Sequence, residues 1–527
     1  MGFSATLSVP VTEPRAEQPK PAGDPDLRLL VDGRVLPPLS VAQGLHVFRL
    51  TCPAREIRLL SRALVPAAQT QGSPDGRRLG VSLQWIRLRG DGASVALRHD
   101  YRGLEEGFHA AETGERWTDG FALLPSRLHR FLSGEVTAEV MIGCPDVQYP
   151  LPPDTPRPRA LVIDETVPAP DHDAGSNVIL EHMRLLQSLG YAVTFLPANL
   201  AAPSPYAEAL AGAGIELVAH PCCAGPEHLM ALRGPSFALA YVHRVTVAER
   251  VLPLLRRYAP QARILFNNAD LHFLRLQREA ELTGSEALRR EAEAMRAAEL
   301  RMFAAADAAL VCNAQEMELL RGELPAARMV YLPWVIGPRR RGTAGFAGRH
   351  GIMFLGGFDH RPNADAVIWF ATTVLPLLLP LAPGLALHVY GHGMPAAVRA
   401  LAGPDVVIEG YVADLAEAFG RHRVSIAPLR FGAGFKGKLA ESLAHGVPVV
   451  ASSVAVEGSG LVGGQHLLVA DGAGPFALAV ARLYETPALW QQLATEGHRF
   501  ALATFSEELG RQRLREALAL AGLPDPG

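Results

Sequence analysis

Cysteine is scarce in this chain, and long apolar segments are missing. Five cysteines occur among the 527 residues, and their spacing fits neither a zinc site nor a redox pair. No stretch reaches the length of about 18 consecutive apolar residues that a membrane-spanning helix needs. The N-terminus also lacks a basic region followed by an apolar run. We therefore expect a cytoplasmic protein that is neither secreted nor membrane-spanning.

The chain also lacks a large excess of either positive or negative charge. Lysine and arginine number 50 against 53 aspartates and glutamates, which gives a formal net charge of −3. This near-neutral balance argues against nucleic acid as a partner. The apolar fraction of 49% is ample for large cores, and the length predicts roughly three domains.

The first 150 residues have a composition of their own. Residues 1–22 are rich in proline, alanine and charge, which predicts disorder. Residues 23–150 contain short alternating runs separated by Asp-Gly turn signals, a pattern typical of a β-sandwich-like domain. Trp117 and Phe121 could form a surface that stacks on sugar rings, although aromatic residues in such positions more often belong to a core.

Strand and helix patterns alternate through the rest of the chain. Buried runs such as 160–163 are followed by amphipathic helices, which predicts parallel, doubly wound sheets. The alternation pauses at a Gly- and Arg-rich linker, 337–350, and then restarts; one long helix is expected over 278–306. The predicted fold class is α/β, with a β-sandwich-like domain followed by two Rossmann-like domains, 158–336 and 350–505, and a C-terminal helix and tail, 506–527.

Residues 430–458 form the most informative segment, RFGAGFKGKLAESLAHGVPVVASSVAVEG. Its glycines let the backbone approach a ligand closely. Backbone N–H groups and the ammoniums of Lys436 and Lys438 can then converge on an anion such as a diphosphate. Glu441 is expected on the first turn of the following helix, where its carboxylate could accept hydrogen bonds from a ribose diol. Each feature alone is more often structural, but together they favour a ligand site.

This segment resembles the nucleotide-binding signature of retaining glycosyltransferases of the GT-B fold, in particular the large bacterial family four, the glycosyl transferases group 1. The resemblance extends from about residue 160 to about residue 505. It implies that Glu441 holds the ribose of a nucleoside diphosphate sugar and that nearby basic residues hold the diphosphate, with no metal or cofactor. One departure is Ala433, because many members carry there a glutamate that lies near the donor sugar.

Further candidate residues lie at the ends of predicted strands, where doubly wound sheets bind ligands. His272 matches a histidine that the family places close to the transferred sugar, and His243 is the alternative position. Asp171 and Asp173 are interpreted as part of a helix start, capped by Asp173 or Ser176, and not as a metal site. The predicted catalytic residues are His272, Lys436 and Glu441. The predicted donor-binding residues are Gly175, Gly356, Gly357, Arg361, Gly410, Tyr411, Val412, Arg430, Gly434, Lys438 and Glu457.

The resemblance thus implies a retaining hexosyltransferase of polysaccharide biosynthesis that acts without a metal. Its partners are expected to be a nucleotide sugar and a glycan, lipid-linked glycan or polysaccharide acceptor, with peripheral association at a membrane surface left open. Two alternatives remain. One is a nucleotide-sugar epimerase of the same fold, and the other is a non-catalytic glycan-binding or scaffold protein with a degenerate transferase body.

Overall fold

In a computed structural model the chain divides into two compact units, 1–154 and 155–527. The structure describes residues 23–69, 73–143, 147–151, 153–170, 172, 174–203, 205–337, 344–412 and 415–524. The predicted disordered segment 1–22 and the predicted helix start at Asp171 and Asp173 lie outside these ranges. Within the same ranges, no helix combines the length and the apolar character needed to cross a bilayer.

The described part of the first unit contains two antiparallel sheets, a short helix, α1 (Pro66–Gln69), and a 3₁₀ turn, Ser126–Leu128. Its strands are β1 (Arg28–Val31), β2 (Arg34–Leu36), β3 (Ser40–Ala42), β4 (Leu45–Cys52), β5 (Ile57–Leu60), β6 (Ser82–Gly90), β7 (Ala93–Arg98), β8 (Arg116–Trp117), β9 (Phe121–Leu123) and β10 (Gly134–Ile142). One sheet has the order β2-β1-β5-β9. The other has the order β3-β4-β10-β6-β7, with β8 paired to β6.

Apolar residues from both sheets form one buried cluster, which is the arrangement of a β-sandwich. Alternation along the strands selects the inner face: in β6, Ile86 and Leu88 are fully buried in this cluster. Trp117 is buried in a smaller cluster that includes Tyr149. It therefore belongs to a core and not to a sugar-stacking surface, while Phe121 is half-buried in β9.

The second unit begins with a seven-stranded parallel sheet of the order β13-β12-β11-β14-β15-β16-β17. Its strands are β11 (Arg159–Asp164), β12 (Ala192–Pro197), β13 (Glu216–Leu217), β14 (Phe237–His243), β15 (Arg263–Asn267), β16 (Ala308–Val311) and β17 (Met329–Tyr331). Its helices are α2 (Ala174–Ser188), α3 (Tyr206–Gly212), α4 (Pro226–Arg233), α5 (Val245–Tyr258), α6 (His272–Thr283), α7 (Glu286–Ala305) and α8 (Ala314–Glu323). We call this region the first half.

A six-stranded parallel sheet of the order β20-β19-β18-β21-β22-β23 forms the second half. Its strands are β18 (Ile352–Leu355), β19 (Leu387–Tyr390), β20 (Val406–Gly410), β21 (Val424–Ala427), β22 (Val449–Ala451) and β23 (Leu468–Val469). Its helices are α9 (Arg361–Trp369), α10 (Leu375–Leu378), α11 (Ala396–Arg399), α12 (Leu415–Arg421), α13 (Gly437–Ala444), α14 (Ser453–Val456), α15 (Ala473–Glu485) and α16 (Pro487–Thr504). A π-helical turn, Phe370–Val374, joins α9 to α10. These two parallel sheets and the preceding antiparallel region confirm the predicted fold class.

The last helix, α17 (Glu507–Leu520), returns to the first half. Leu514, Ala517 and Leu518 are buried in the apolar cluster of that half. A Cβ atom on Gly510 would lie 2.6 Å from Val335, so the absence of a side chain lets α17 approach closely.

One helix prediction is wrong. The stretch 278–306 is not a single helix, because α6 ends at Thr283 and α7 starts at Glu286. Gly284 between them has a φ of +70°, a left-handed conformation that ends helices. The Ser285 side chain then accepts a hydrogen bond from the Leu288 N–H and begins α7.

Candidate active site

The glycine-rich loop, residues 430–436, connects β21 to α13. Lys436 has an extended backbone and occupies the N-cap position, so α13 begins at Gly437, two residues earlier than the sequence suggested. Glu441 therefore lies in the second turn of the helix and not in the first. Its side chain is 16% exposed, and its Oε2 lies 3.8 Å from His445 Nε2.

Lys436 is held inside the loop that precedes it. Its Nζ donates to the carbonyl oxygens of Ala433 at 2.6 Å and Gly434 at 2.8 Å. Burial lowers the pKa of Lys436, although nearby Glu316 opposes the shift. Glu316, on α8 of the first half, accepts a hydrogen bond from the Gly434 N–H. That N–H group is not available to a phosphate while Glu316 occupies it.

Lys438 joins the loop to the turn that follows β18. Its Nζ donates to Asn363 Oδ1 at 2.5 Å and lies 4.7 Å from the centroid of the Phe354 ring. Asn363 Nδ2 in turn donates to the Gly357 carbonyl at 2.6 Å. Burial and the neighbouring ammonium of Lys436 lower the pKa of Lys438 to about 7. The two turns predicted to bind phosphate are thus brought together by one amide side chain.

His272 begins α6, beyond the carboxyl end of β15. Its Nε2 lies 3.3 Å from Asp270 Oδ1 and its Nδ1 lies 3.1 Å from Glu299 Oε1. Burial opposes the charged form, but these carboxylates outweigh it and raise the pKa of His272. Burial likewise opposes charge on Asp270, whose pKa is nonetheless lowered by His272 and Arg275.

This histidine cluster lies against the glycine-rich loop of the other half. A Cβ atom on Gly434 would lie 2.6 Å from Asp270 Cβ, so only a glycine allows this approach. The φ of Gly434 is +69°, which also favours glycine. The first half therefore places an imidazole with its carboxylates next to the loop that ends at Lys436.

A second set of contacts joins the halves beside the loop. Arg278 on α6 makes a bidentate ion pair with Glu457 at 2.6 and 2.8 Å, and also donates to the Gly432 carbonyl at 2.7 Å. Asn313 Nδ2 donates to the Glu457 carbonyl at 2.9 Å. Glu457, predicted to contact the donor, thus holds the halves together through both its side chain and its backbone.

Gly458 is the tightest point of this contact. Its φ is +65°, and a Cβ atom there would lie 1.8 Å from Asn313 Oδ1. We expect Gly458→Ala to separate the halves locally and to cost about 1–3 kcal/mol of stability, as overpacking generally does. Gly460→Ala is the matched control, since its φ is +76° but its nearest neighbour, Phe500, would lie at an ordinary 3.5 Å. Melting temperatures of the two variants test this expectation, and an equal decrease would contradict it.

The other predicted donor-binding charges are already paired. Arg361 Nη2 lies 3.0 Å from Glu279 Oε2 on α6, and Arg430 Nε donates to Asp365 at 2.9 Å. Both arginines remain partly exposed. These ion pairs hold Arg361 against α6 and Arg430 against Asp365 of α9.

The predicted nucleotide-base contacts follow β20. Gly410 ends the strand with a φ of +76°, Tyr411 is 47% exposed, and Val412 is half-buried. Tyr411 makes an edge contact with His172 of the first half, 6.2 Å between ring centroids. His172 also stacks on His392 with 4.2 Å between centroids and 6° between planes. An aromatic contact between the halves therefore lies at this strand end.

In the first half, the structure differs from the predicted helix cap and excludes exposure of the alternative histidine. Gly175 and Ser176 both lie inside α2, which starts at Ala174, so Ser176 is not the N-cap. His243, the alternative to His272, is fully buried, and its Nδ1 lies 2.9 Å from Asp164 Oδ2. His243 is therefore a buried residue at the end of β14, whereas the His272 side chain is 22% exposed.

Glu316 and Asn313 were missed by sequence reasoning. Their Asn-x-x-Glu spacing is that of a capping box, and Asn313 does cap α8 by accepting from the N–H groups of Gln315 and Glu316. In a capping box the glutamate side chain reaches back to the cap residue. Here it reaches the other half instead, and burial raises its pKa to about 7.

Comparisons with known proteins bear on both halves. Residues 349–486 match the family model for glycosyl transferases group 1. That range contains Lys436, Lys438 and Glu441 and excludes His272. Among curated proteins, none matches the chain in sequence.

Solved structures share the fold of the two halves. Sucrose-phosphate synthase from Thermosynechococcus elongatus has a TM-score of 0.54 at 17% identity, covering 68% of this chain and 98% of its own. HepE from Anabaena, in complex with UDP and glucose, has a TM-score of 0.51 at 12% identity, covering 68% and 99%. A glycosyltransferase from Rickettsia africae has a TM-score of 0.50 at 10% identity, covering 69% and 99%. These likenesses establish the GT-B arrangement.

Proposed function

We propose that this protein is a retaining glycosyltransferase that moves a sugar from a nucleoside diphosphate donor to a hydroxyl acceptor without a metal. The observation that carries the proposal is the pair of ammoniums at the end of the glycine-rich loop and the start of α13, Lys436 and Lys438, within the range that matches glycosyl transferases group 1. HepE, one of the structures with this fold, was solved with UDP and glucose. On that basis we infer that this protein also uses a nucleotide sugar as its donor.

Charge development explains why this loop suits the reaction. As the bond between the sugar C1 and the diphosphate oxygen breaks, negative charge builds on the departing diphosphate. Ammoniums already held in a partly buried site stabilise that charge strongly, because little water screens them. A bound diphosphate would also favour the charged form of Lys438, whose pKa is lowered to about 7.

The remaining steps need no protein nucleophile. The acceptor oxygen bonds to C1 on the face that the diphosphate leaves, and the acceptor proton passes to a departing diphosphate oxygen. Glu441 is proposed to hold the ribose. His272, whose pKa is raised by Asp270 and Glu299 against the effect of burial, can donate a hydrogen bond to the transferred sugar.

A donor panel tests the proposal against its alternatives. Uridine, guanosine and thymidine diphosphate sugars are incubated with the full chain, with and without acceptor glycans. Release of nucleoside diphosphate that rises with acceptor supports a transferase. Formation of an isomeric nucleotide sugar without acceptor supports an epimerase, and absence of nucleotide binding by calorimetry supports a non-catalytic protein.

His272→Ala is expected to reduce turnover more than it reduces donor binding. The imidazole lies in the first half, whereas Lys436 and Lys438 lie in the second, so donor affinity should depend mainly on the two lysines. Steady-state kinetics together with calorimetric donor affinity separate the two effects. His272→Gln retains a donor group and should recover part of the rate; equal losses in rate and affinity would contradict the role.

A further inference from the structure

The outer face of the larger sheet in the first unit carries a hollow of about 360 Å³. Its lining includes Gln84, Trp85, Arg87, Ala96, Arg98 and His99. Its volume falls within the roughly 300–1,000 Å³ range of small-ligand sites. The hollow lies wholly within the first unit and shares no residue with the glycine-rich loop.

The register of β6 and β7 builds this hollow. Trp85 is opposite Arg98, and Arg87 is opposite Ala96. Because Ile86 and Leu88 point into the core, alternation places Trp85 and Arg87 on the outer face. The small Ala96 side chain leaves space between the longer side chains around it. A half-buried tryptophan thus forms one wall of an open depression.

The residues that line the hollow include two arginines, Arg87 and Arg98, and no acidic residue. Arg87 Nη2 lies 2.5 Å from Glu139 Oε2, and Arg89 pairs with the same carboxylate. The Arg87 guanidinium also lies 5.4 Å from the centroid of the Trp85 ring, which holds the indole in place. Arg98 is exposed and takes part in none of the ion pairs found among the described residues. Two guanidiniums therefore line the hollow, and that of Arg87 is already paired with Glu139.

We propose that this hollow binds a carboxylate-bearing saccharide, such as a chain of uronic acids. The indole offers a flat apolar face to the C–H side of a pyranose ring. The planar fork of Arg98 matches a carboxylate through two parallel hydrogen bonds. Gln84 and His99 supply the mixed donors and acceptors that sugar hydroxyls require. The two aromatic residues predicted to stack on sugars, Trp117 and Phe121, do not line this hollow.

Calorimetry on the full chain with hexagalacturonate tests the site. Trp85→Ala and Arg98→Ala are each expected to weaken binding by roughly tenfold or more. Arg49→Ala is the matched control for charge, because Arg49 is an exposed residue of β4 on the same face and outside the hollow. Phe131→Ala is the control for an aromatic residue, since Phe131 is 70% exposed and also lies against an arginine, Arg130. Both controls should bind as the wild type does.

The methyl ester of the same hexasaccharide measures how much the carboxylates contribute to binding. The wild type should bind the ester roughly tenfold more weakly, and Arg98→Ala should no longer distinguish the two ligands.

Absence of hexagalacturonate binding by the wild type would overturn the proposal, as would equal losses in the controls. Binding to phosphatidylglycerol vesicles that depends on Arg98, without saccharide binding, would assign the face to a membrane surface and would also overturn it. None of these outcomes bears on sugar transfer at the glycine-rich loop, because the hollow shares no residue with that loop. The saccharide site and the proposed transferase activity can therefore be disproved independently of each other.

Discussion

Replacement of Lys436 by methionine is expected to lower kcat by roughly 10²–10³-fold, the usual cost of removing one group that stabilises a developing oxyanion. The Nζ atom is fixed by two loop carbonyls at 2.6 and 2.8 Å, so the ammonium is already positioned before the diphosphate departs. Donor affinity should fall less than the rate, because the charge that Lys436 meets grows as the bond breaks. Initial rates at saturating donor and acceptor measure this effect.

Loss of folding is the competing explanation for a slow Lys436→Met variant. Burial raises the pKa of Glu316 and Lys436 opposes that rise, so removal of the lysine takes a favourable charge away from this buried carboxyl. A melting curve must therefore accompany the kinetics. Arg421→Met is the matched control, since Arg421 is an exposed cation of the same half. A folded Lys436→Met variant with unchanged kcat would contradict the proposed role.

Glu441→Ala is expected to weaken nucleotide binding by about ten- to a hundredfold. This range corresponds to roughly 1.5–3 kcal/mol, the scale of hydrogen bonds to a charged group. Calorimetry with the nucleoside diphosphate selected by the donor panel provides the measurement. Glu417→Ala, which removes a 73% exposed carboxylate from α12 of the same half, is the control and should bind normally.

The ribose itself supplies a sharper test of Glu441. A 2′-deoxy nucleoside diphosphate lacks one of the two hydroxyls that the carboxylate is proposed to accept from. It should bind the wild type more weakly than the ribonucleotide, and Glu441→Ala should bind both nucleotides alike. A deoxy penalty that persists unchanged in the variant would show that another residue holds the ribose.

The second half was the easiest region to predict, and particular residues show why. The glycines and lysines of residues 430–438 lie close together in the chain, so their meeting in one loop depends on local geometry. The predicted start of the helix was wrong by two residues, because Lys436 takes an extended conformation and the helix begins at Gly437, which puts Glu441 in the second turn. Helix starts depend on single backbone angles, which periodicity does not specify.

The N-terminal sandwich shows a different limit. Trp85 and Trp117 are both tryptophans in short alternating strands, yet one lines an outer hollow and the other is buried with Tyr149. Alternation tells which residues share a face of a strand. Alternation does not tell which face of the strand is covered by a second sheet or a loop. The sequence pattern therefore could not show that Trp85, and not Trp117, lines an outer surface.

The amino-acid sequence by itself determined the two doubly wound sheets, the antiparallel region before them and the cationic loop at a strand end, since these follow from local periodicity and turn chemistry. Only the tertiary structure decided what the loop contacts. Glu316 binds the N–H of Gly434 from 118 residues earlier, and Arg278 pairs with Glu457 from 179 residues earlier. Contacts over such separations depend on how the halves pack, because the local sequence specifies only the helix or loop on which each partner lies.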